Sequence, residues 1–246
     1  MENLNIKINY LYHSGFSVET EHHVLVFDYY RGPIQLNDKV TFIFSSHSHP
    51  DHFNPVIFEW QKRRPATQYI LSSDIPVPPT VNHVHSLAPN EVITVDGLKV
   101  KAYNSTDIGV SFLVECEGLR LFHAGDLNWW YWRDTPEEMV KAEKGFKDEI
   151  KKLKGEQIDI AFFPVDPRLE ENYSAGAEHF IQEIHPQFLI PMHFADDLQV
   201  SKTFAQKMTD SPTKVIEITH QGQQLNFSST GNTRLLFNVA GNQCPD

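Results

Sequence analysis

The sequence predicts an α/β (α+β) protein in which two β-sheets pack together with helices outside. Three observations carry this. Short apolar runs rich in β-branched and aromatic residues follow one another through the first half. From residue 136 the period changes, and strands alternate with amphipathic helices. The 246-residue chain is 40% hydrophobic and 22% charged, the balance of a globular protein with a core to bury.

Residues 5–11, 16–19 and 23–28 read as strands, with Glu21 and His22 in a hairpin turn. KVTFIFS (39–45) reads as a buried strand that runs directly into SHSHPDH. A short helix is expected over 55–63, and strands over 68–72 and 92–103, separated by a Pro-rich stretch at 76–79. Residues 110–116 and 119–123 form a hairpin around Glu117-Gly118. In the charged helix 136–154, Met139, Phe146, Ile150 and Leu153 fall roughly on one face. A strand over 157–164, a helix over 174–184, a strand over 187–194, a helix over 199–209 and three short strands complete the order. Nothing reads as a linker or a repeat, so residues 1–246 are expected to form one domain.

Charge and cysteine usage narrow the function classes. The 21 Lys+Arg stand against 32 Asp+Glu, a net charge of -11, which argues against a nucleic-acid partner or docking on an anionic membrane. The start is not a basic segment followed by an apolar run, and no stretch of about 18 apolar residues occurs. Neither a signal peptide nor a membrane span is therefore expected. Cys116 lies in a strand-like run and Cys244 in the polar tail GNQCPD, so no disulfide is expected and a cytoplasmic location is the reading. Neither cysteine has a CxxC partner to support thiol-based metal or redox chemistry.

Histidine carries the chemistry: the chain has 13. In Ser46-His47-Ser48-His49-Pro50-Asp51-His52, three histidines and an aspartate follow an apolar strand. His47 and His49 are two apart, so an extended backbone turns both to one side. Pro50 then lets the chain turn, and Asp51 and His52 face a second point. Imidazole and carboxylate suit zinc, iron or manganese. Phe122-His123-Ala124-Gly125-Asp126 and Ile190-Pro191-Met192-His193-Phe194 each place a further candidate ligand at a strand end.

These motifs, HSHPDH (47–52), HAGD (123–126) and PMHF (191–194), resemble the metallo-β-lactamase superfamily, as do YHSGF (12–16) and VLVFD (24–28). The chain is most similar to single-domain members such as ascorbate-6-phosphate lactonase and the phosphodiesterase-type hydrolases. The resemblance implies a four-layer αββα sandwich with one or two divalent metal ions at a sheet edge, zinc first, manganese or iron otherwise. It assigns His47 and His49 to one metal, Asp51, His52 and His193 to the other, and Asp126 to a bridge. It also implies a hydrolase in which a metal-bound hydroxide, oriented by Asp51, attacks a small anionic lactone, thioester or phosphodiester. The family's third histidine for the first metal is missing from the stretch 103–109, where Asp107 is either its substitute or a turn residue. His83 and His85 lie far from that strand end.

Other residues are placed around this centre. His123 is a proton shuttle or a satisfied buried imidazole, and His13 lies outside the ligand set. Asn128 and Trp129 are expected at the substrate; the run Trp129–Trp132 is either an apolar wall or a loop anchor. Arg168 grips an anion, or pairs with Glu170 or Glu171, and Tyr173 could donate to a developing oxyanion. His22, His23, His179, His185 and His220 are read as structural or solvated. A homo-oligomer is compatible with the sequence. The reading from a different class is a non-catalytic metal-binding or regulatory protein with an incomplete first site.

Overall fold

The structure, a computed structural model, describes residues 4–229 and 234–238. Cys244 lies outside them. The strands are β1 (Leu4–Tyr12), β2 (Gly15–Glu19), β3 (His23–Phe27), β4 (Val40–Ser45), β5 (Gln68–Ser72), β6 (Val84–Leu87), β7 (Val92–Val95), β8 (Leu98–Asn104), β9 (Val110–Cys116), β10 (Leu119–His123), β11 (Ile160–Pro164), β12 (Phe188–Met192), β13 (Lys214–Val215), β14 (Gln224–Ser229) and β15 (Leu236–Asn238). The α-helices are α1 (Pro136–Lys152), α2 (Ala175–Ile184) and α3 (Leu198–Lys207), and two 3-10 helices span Pro55–Lys62 and Pro167–Asn172.

One sheet runs β15-β14-β1-β2-β3-β4-β5-β6 and the other β13-β12-β11-β10-β9-β8-β7. Both are mixed. In the first, β1, β2, β14 and β15 pair antiparallel and β3 to β6 run parallel. In the second, β7 to β10 are antiparallel and β10 to β13 parallel. This is the metallo-β-lactamase architecture that the motifs implied.

Alternation along the strands builds two cores. Leu25, Phe27, Phe42, Phe44 and Ile70 point between the sheets, where they meet Phe112 and Phe162. Val24, Val26, Ile43, Tyr69 and Leu71 point the other way and are covered by Ile57 and Phe58 of the first 3-10 helix. Helix α1 starts on a Thr135 cap that accepts from the Glu138 N–H, with Pro136 in its first turn, and it buries Phe146 and Ile150.

Three elements differ from the expectation. The single strand over 92–103 is a hairpin, because Asp96 (φ 44°) and Gly97 (φ 85°) form a turn between β7 and β8. Strand β6, which carries His85, lies between the expected strands in a stretch where no element is predicted. The segment after Asp166, where no helix is predicted, is a 3-10 helix capped by that aspartate.

The parallel strands aim their C-terminal ends at one edge. There β3 leads to Asp28, β4 to Ser46-His47, β10 to Asp126, β11 to Asp166 and β12 to His193. Two glycines allow the sheets to close on this edge. A Cβ on Gly125 would lie 2.6 Å from the Ser46 Cβ, and one on Gly109 would overlap the Ser46 carbonyl; both glycines have positive φ. Gly118 shares the positive φ but has open space around it. Gly109→Ala is therefore expected to lose about 2 kcal/mol or more of unfolding free energy. Gly118→Ala should lose only about 1 kcal/mol. Denaturant titration of both variants checks the difference.

Candidate metal centre

The loops at this edge bring the predicted residues together. Donor atoms of His47, His49 and Asp126 lie within 4.8 Å of one another, and so do those of His13, Asp51, His52 and His193. Asp126 stands between the groups. Its Oδ2 is 3.4 Å from His47 Nε2, and its Oδ1 is 3.1 Å from His52 Nε2 and 3.2 Å from His193 Nε2.

The donor set fits a cation. His47 Nε2, His52 Nε2 and Asp126 Oδ1 are buried without a hydrogen-bond partner, since their close approaches lack hydrogen-bond alignment. Buried polar atoms left this way are costly. A divalent ion among them would satisfy all three.

The partners behind the rings decide which nitrogen faces inward. His52 Nδ1 bonds Asp28 Oδ2 at 2.7 Å, and His193 Nδ1 bonds Asp166 Oδ2 at 3.0 Å. A carboxylate can only accept, so each Nδ1 carries a proton and Nε2 is the nitrogen left to face a metal. Ser46 Oγ donates to Asp28 Oδ2 at 2.7 Å and lies 3.0 Å from His47 Nδ1, which places the same tautomer on His47. Asp28 also accepts from the Ser46 N–H at 2.7 Å. It thus orients two of the three rings. Neither Asp28 nor Asp166 was singled out in the sequence, although each follows an apolar strand (VLVFD, FFPVD) as Asp126 does.

The electrostatics follow from burial and charge together. Burial alone would raise the Asp126 carboxyl, but the His52 charge and His193 outweigh it and hold it well below the usual range. Burial lowers His52, but Asp126 and Asp28 outweigh that and raise it to about 10. His193 is raised by Asp126 and Asp166 in the same way, against burial. His47 is lowered by burial and by the neighbouring His52 charge. The raised His52 and His193 thus balance the buried carboxylates of the centre.

The remaining predicted residues lie in varied places. Asp107 Oδ2 is 4.0 Å from His49 Nδ1, and both side chains are 45% exposed. His83 and His85 sit on the β6 edge, and His85 bonds Gln68 at the start of β5, away from the centre. His123 is fully buried, and both its ring nitrogens are spent: Nε2 donates to the Ser14 carbonyl and Nδ1 accepts from the Gly125 N–H. Of its two readings, the satisfied imidazole matches this environment. Tyr173 is half-buried at the end of the second 3-10 helix, its ring near Lys207. Arg168 pairs with Asp166, through Nε at 3.0 Å, not with Glu170 or Glu171, which pair with Arg133.

Asn128 and Trp129 need correction. The segment after Asp126 alternates its side chains. Trp129 stacks on Tyr131 and packs against Phe146 and His179 of the helices, while Asn128 is buried against Gly176. The centre instead meets Trp130, whose ring is 5.4 Å from that of His193 and whose Nε1 donates to the Asp126 carbonyl. Trp132 stacks on Trp130, is 41% exposed, and has Arg168 over its face. The four-residue aromatic run is both anchor and wall, split by parity.

His23, expected to be structural or solvated, bonds Glu117 at 2.5 Å next to Cys116, at the opposite end of the sheets. Burial pushes the Cys116 thiol up to about 12. Glu117 Oε1 also accepts from Thr20 and the His22 N–H, so this group reads as a clip between two turns.

Comparison with known proteins agrees with this geometry. A family model described as "Beta-lactamase superfamily domain" matches residues 7–139. A curated relative from Alkaliphilus metalliredigens (strain QYMF), named UPF0173 metal-dependent hydrolase, is 26% identical over 210 residues, covering 77% of this chain and 85% of its own. Igni18, described as a novel metallo hydrolase from the hyperthermophilic archaeon Ignicoccus hospitalis KIN4/I, is 17% identical with a TM-score of 0.69, over 92% of this chain and all of its own. CmlA from Streptomyces venezuelae, described as a diiron β-hydroxylase, is 13% identical with a TM-score of 0.53, over 91% of this chain and 54% of its own. The fold is thus shared by proteins of different chemistry.

Asp28→Asn places an amide donor against the Nδ1–H of His52 or the Ser46 hydroxyl. Zinc affinity is expected to fall by about 10- to 100-fold. Competition against a chelating dye measures it; an unchanged affinity would remove Asp28 from the support of the centre.

Proposed function

This chain belongs to the β-lactamase superfamily and is a metal-dependent hydrolase, and from that premise we propose that its clustered histidines and carboxylates hold two divalent ions for hydrolysis of a small anionic ester. His47, His49 and Asp126 would hold the first ion, with Asp107 beside His49. Asp51, His52 and His193 would hold the second, with Asp126 shared between the two groups. The observation that carries this is the convergence of buried, unpaired His47 Nε2, His52 Nε2 and Asp126 Oδ1. Bound divalent ions supply Lewis acidity and lower the pKa of water.

The chain's own residues supply the rest. Asp51 is half-exposed at the mouth of the centre, where its carboxylate can accept a hydrogen bond from water and orient it. Trp130 and Trp132 shield the His193 side from solvent. Arg168 is partly exposed and raised by Asp166, with smaller contributions from the charges of Asp126 and Asp51. It offers its outer face to an anionic group. Zinc is the first expectation for the metal, with manganese or iron as alternatives, and a lactone, thioester or phosphodiester is the substrate class. Among the described residues no helix is long and apolar enough to cross a membrane. The free, buried Cys116 supports a cytoplasmic location, and the core cluster that runs from Ile6 to Leu235 supports a single domain.

Two measurements test this reading. Hydrolysis of such esters should require added metal and be abolished by a chelator and by Asp126→Ala; activity that survives both sinks it. Bound metal with no turnover across a broad panel favours the non-catalytic reading, which the three-donor first group keeps in view. Separately, His52 is raised to about 10 and so holds a proton at neutral pH, and His193 is raised as well. Metal must displace these protons, so uptake should release protons and affinity should rise with pH toward about 10. Calorimetry in buffers of different ionisation enthalpy reads the number released.

A further inference from the structure

We propose that His13 is not a ligand of this centre but a fixed hydrogen-bond donor that positions two residues that are. It presents its Nε2–H to Asp51, whose carboxylate oxygen lies 3.5 Å away, and holds the His193 loop through its backbone. The inference rests on the reading of Asp51 and His193 as metal-holding residues. By distance alone His13 is a ligand candidate, since its donor atoms fall within the same 4.8 Å group. The partner behind its ring says otherwise. His13 Nδ1 accepts a hydrogen bond from the Ala195 N–H at 3.2 Å. The lone pair of Nδ1 is therefore in use, and in a neutral imidazole the proton must sit on Nε2. That is the reverse of His52 and His193, whose Nδ1 atoms face carboxylates. To bind a metal through Nε2, His13 would have to lose that proton altogether. Otherwise it would have to break the Ala195 contact and leave a buried N–H unpaired.

Every other polar atom of His13 is assigned. Its N–H donates to the Tyr10 hydroxyl at 2.9 Å, and its carbonyl accepts from the His193 N–H at 3.1 Å. Nε2 alone is buried without a partner, and it faces Asp51 Oδ2 at 3.5 Å. The backbone is strained on both sides of the contact. His13 (φ 57°), His193 (φ 69°) and Ala195 (φ 47°) all occupy the left-handed region that non-glycine residues avoid. These conformations are what bring the His193 and Ala195 N–H groups onto His13. The turn between β1 and β2 and the loop after β12 thus lock each other, with His13 as the common piece.

The test uses the full chain labelled with 15N-histidine, in long-range 1H–15N correlation spectra of the metal-free and zinc-loaded protein. The signals lost in His13→Gln and His13→Asn identify His13. The expected result is a proton on Nε2 and a bare Nδ1 in both states. A proton on Nδ1 in the metal-free protein, or loss of the Nε2 proton on adding zinc, overturns the proposal. Zinc titration gives the second readout. His13→Asn should keep the wild-type zinc equivalents and bind about 10-fold more weakly. His13→Gln, whose amide restores a donor, should recover most of that affinity at the same melting temperature. This recovery is a result that lost packing alone does not produce. Loss of a whole zinc equivalent in both variants makes His13 a ligand, and unchanged affinity in both ends its positioning role. A wild-type chain that takes up no zinc refutes the metal reading instead, and the metal-free spectra still decide the tautomer.

Discussion

The centre depends on one buried carboxylate, Asp28, at the end of β3. It is fully enclosed, yet it accepts from the Ser46 N–H, the Ser46 hydroxyl and His52 Nδ1. A charge so placed is tolerable only because every neighbour donates to it. The same bonds that stabilise Asp28 fix the tautomer of His52 directly and that of His47 through Ser46. Two imidazole Nε2 atoms are thereby aimed at Asp126, so little ordering would be left for a metal-binding step.

The second sheet repeats the device with Asp166. This residue takes His193 Nδ1 on one side and the Arg168 side chain on the other, and it caps the short helix that follows. Each sheet therefore contributes an aspartate at the C-terminal end of a parallel strand, and each aspartate sets one histidine of the facing pair. Asp126, from the centre of the second sheet, closes the space between them. Such convergence packs Gly109 against the Ser46 carbonyl and Gly125 against the Ser46 side chain, which leaves no room for a Cβ at either.

Much of the fold was legible in the sequence because strand alternation and helical period are local signals. The hairpin at Glu117-Gly118 and the helix that begins at Pro136 carry their own turn and cap chemistry. The Asp96-Gly97 turn carried the same kind of signal, but the β-rich residues on either side masked it and made one strand of two. Strand β6 is short and half-exposed at the sheet edge, and it gains its identity from pairing with β5 rather than from its own residues. In the aromatic run, the residue types marked a special place. Which rings faced the centre depended on the parity of an extended segment anchored by helices α1 and α2.

The sequence by itself determined the donor set, because His47, His49, Asp51 and His52 are neighbours in one short segment and ligand chemistry belongs to residue type. Only the tertiary structure decided which nitrogen of each histidine looks inward. That choice belongs to the group behind the ring. For His52 it is Asp28, for His193 it is Asp166, and for His13 it is the N–H of Ala195, 182 positions away. A tautomer is set by whether that distant partner donates or accepts, and the partner arrives only when two sheets close on a shared edge.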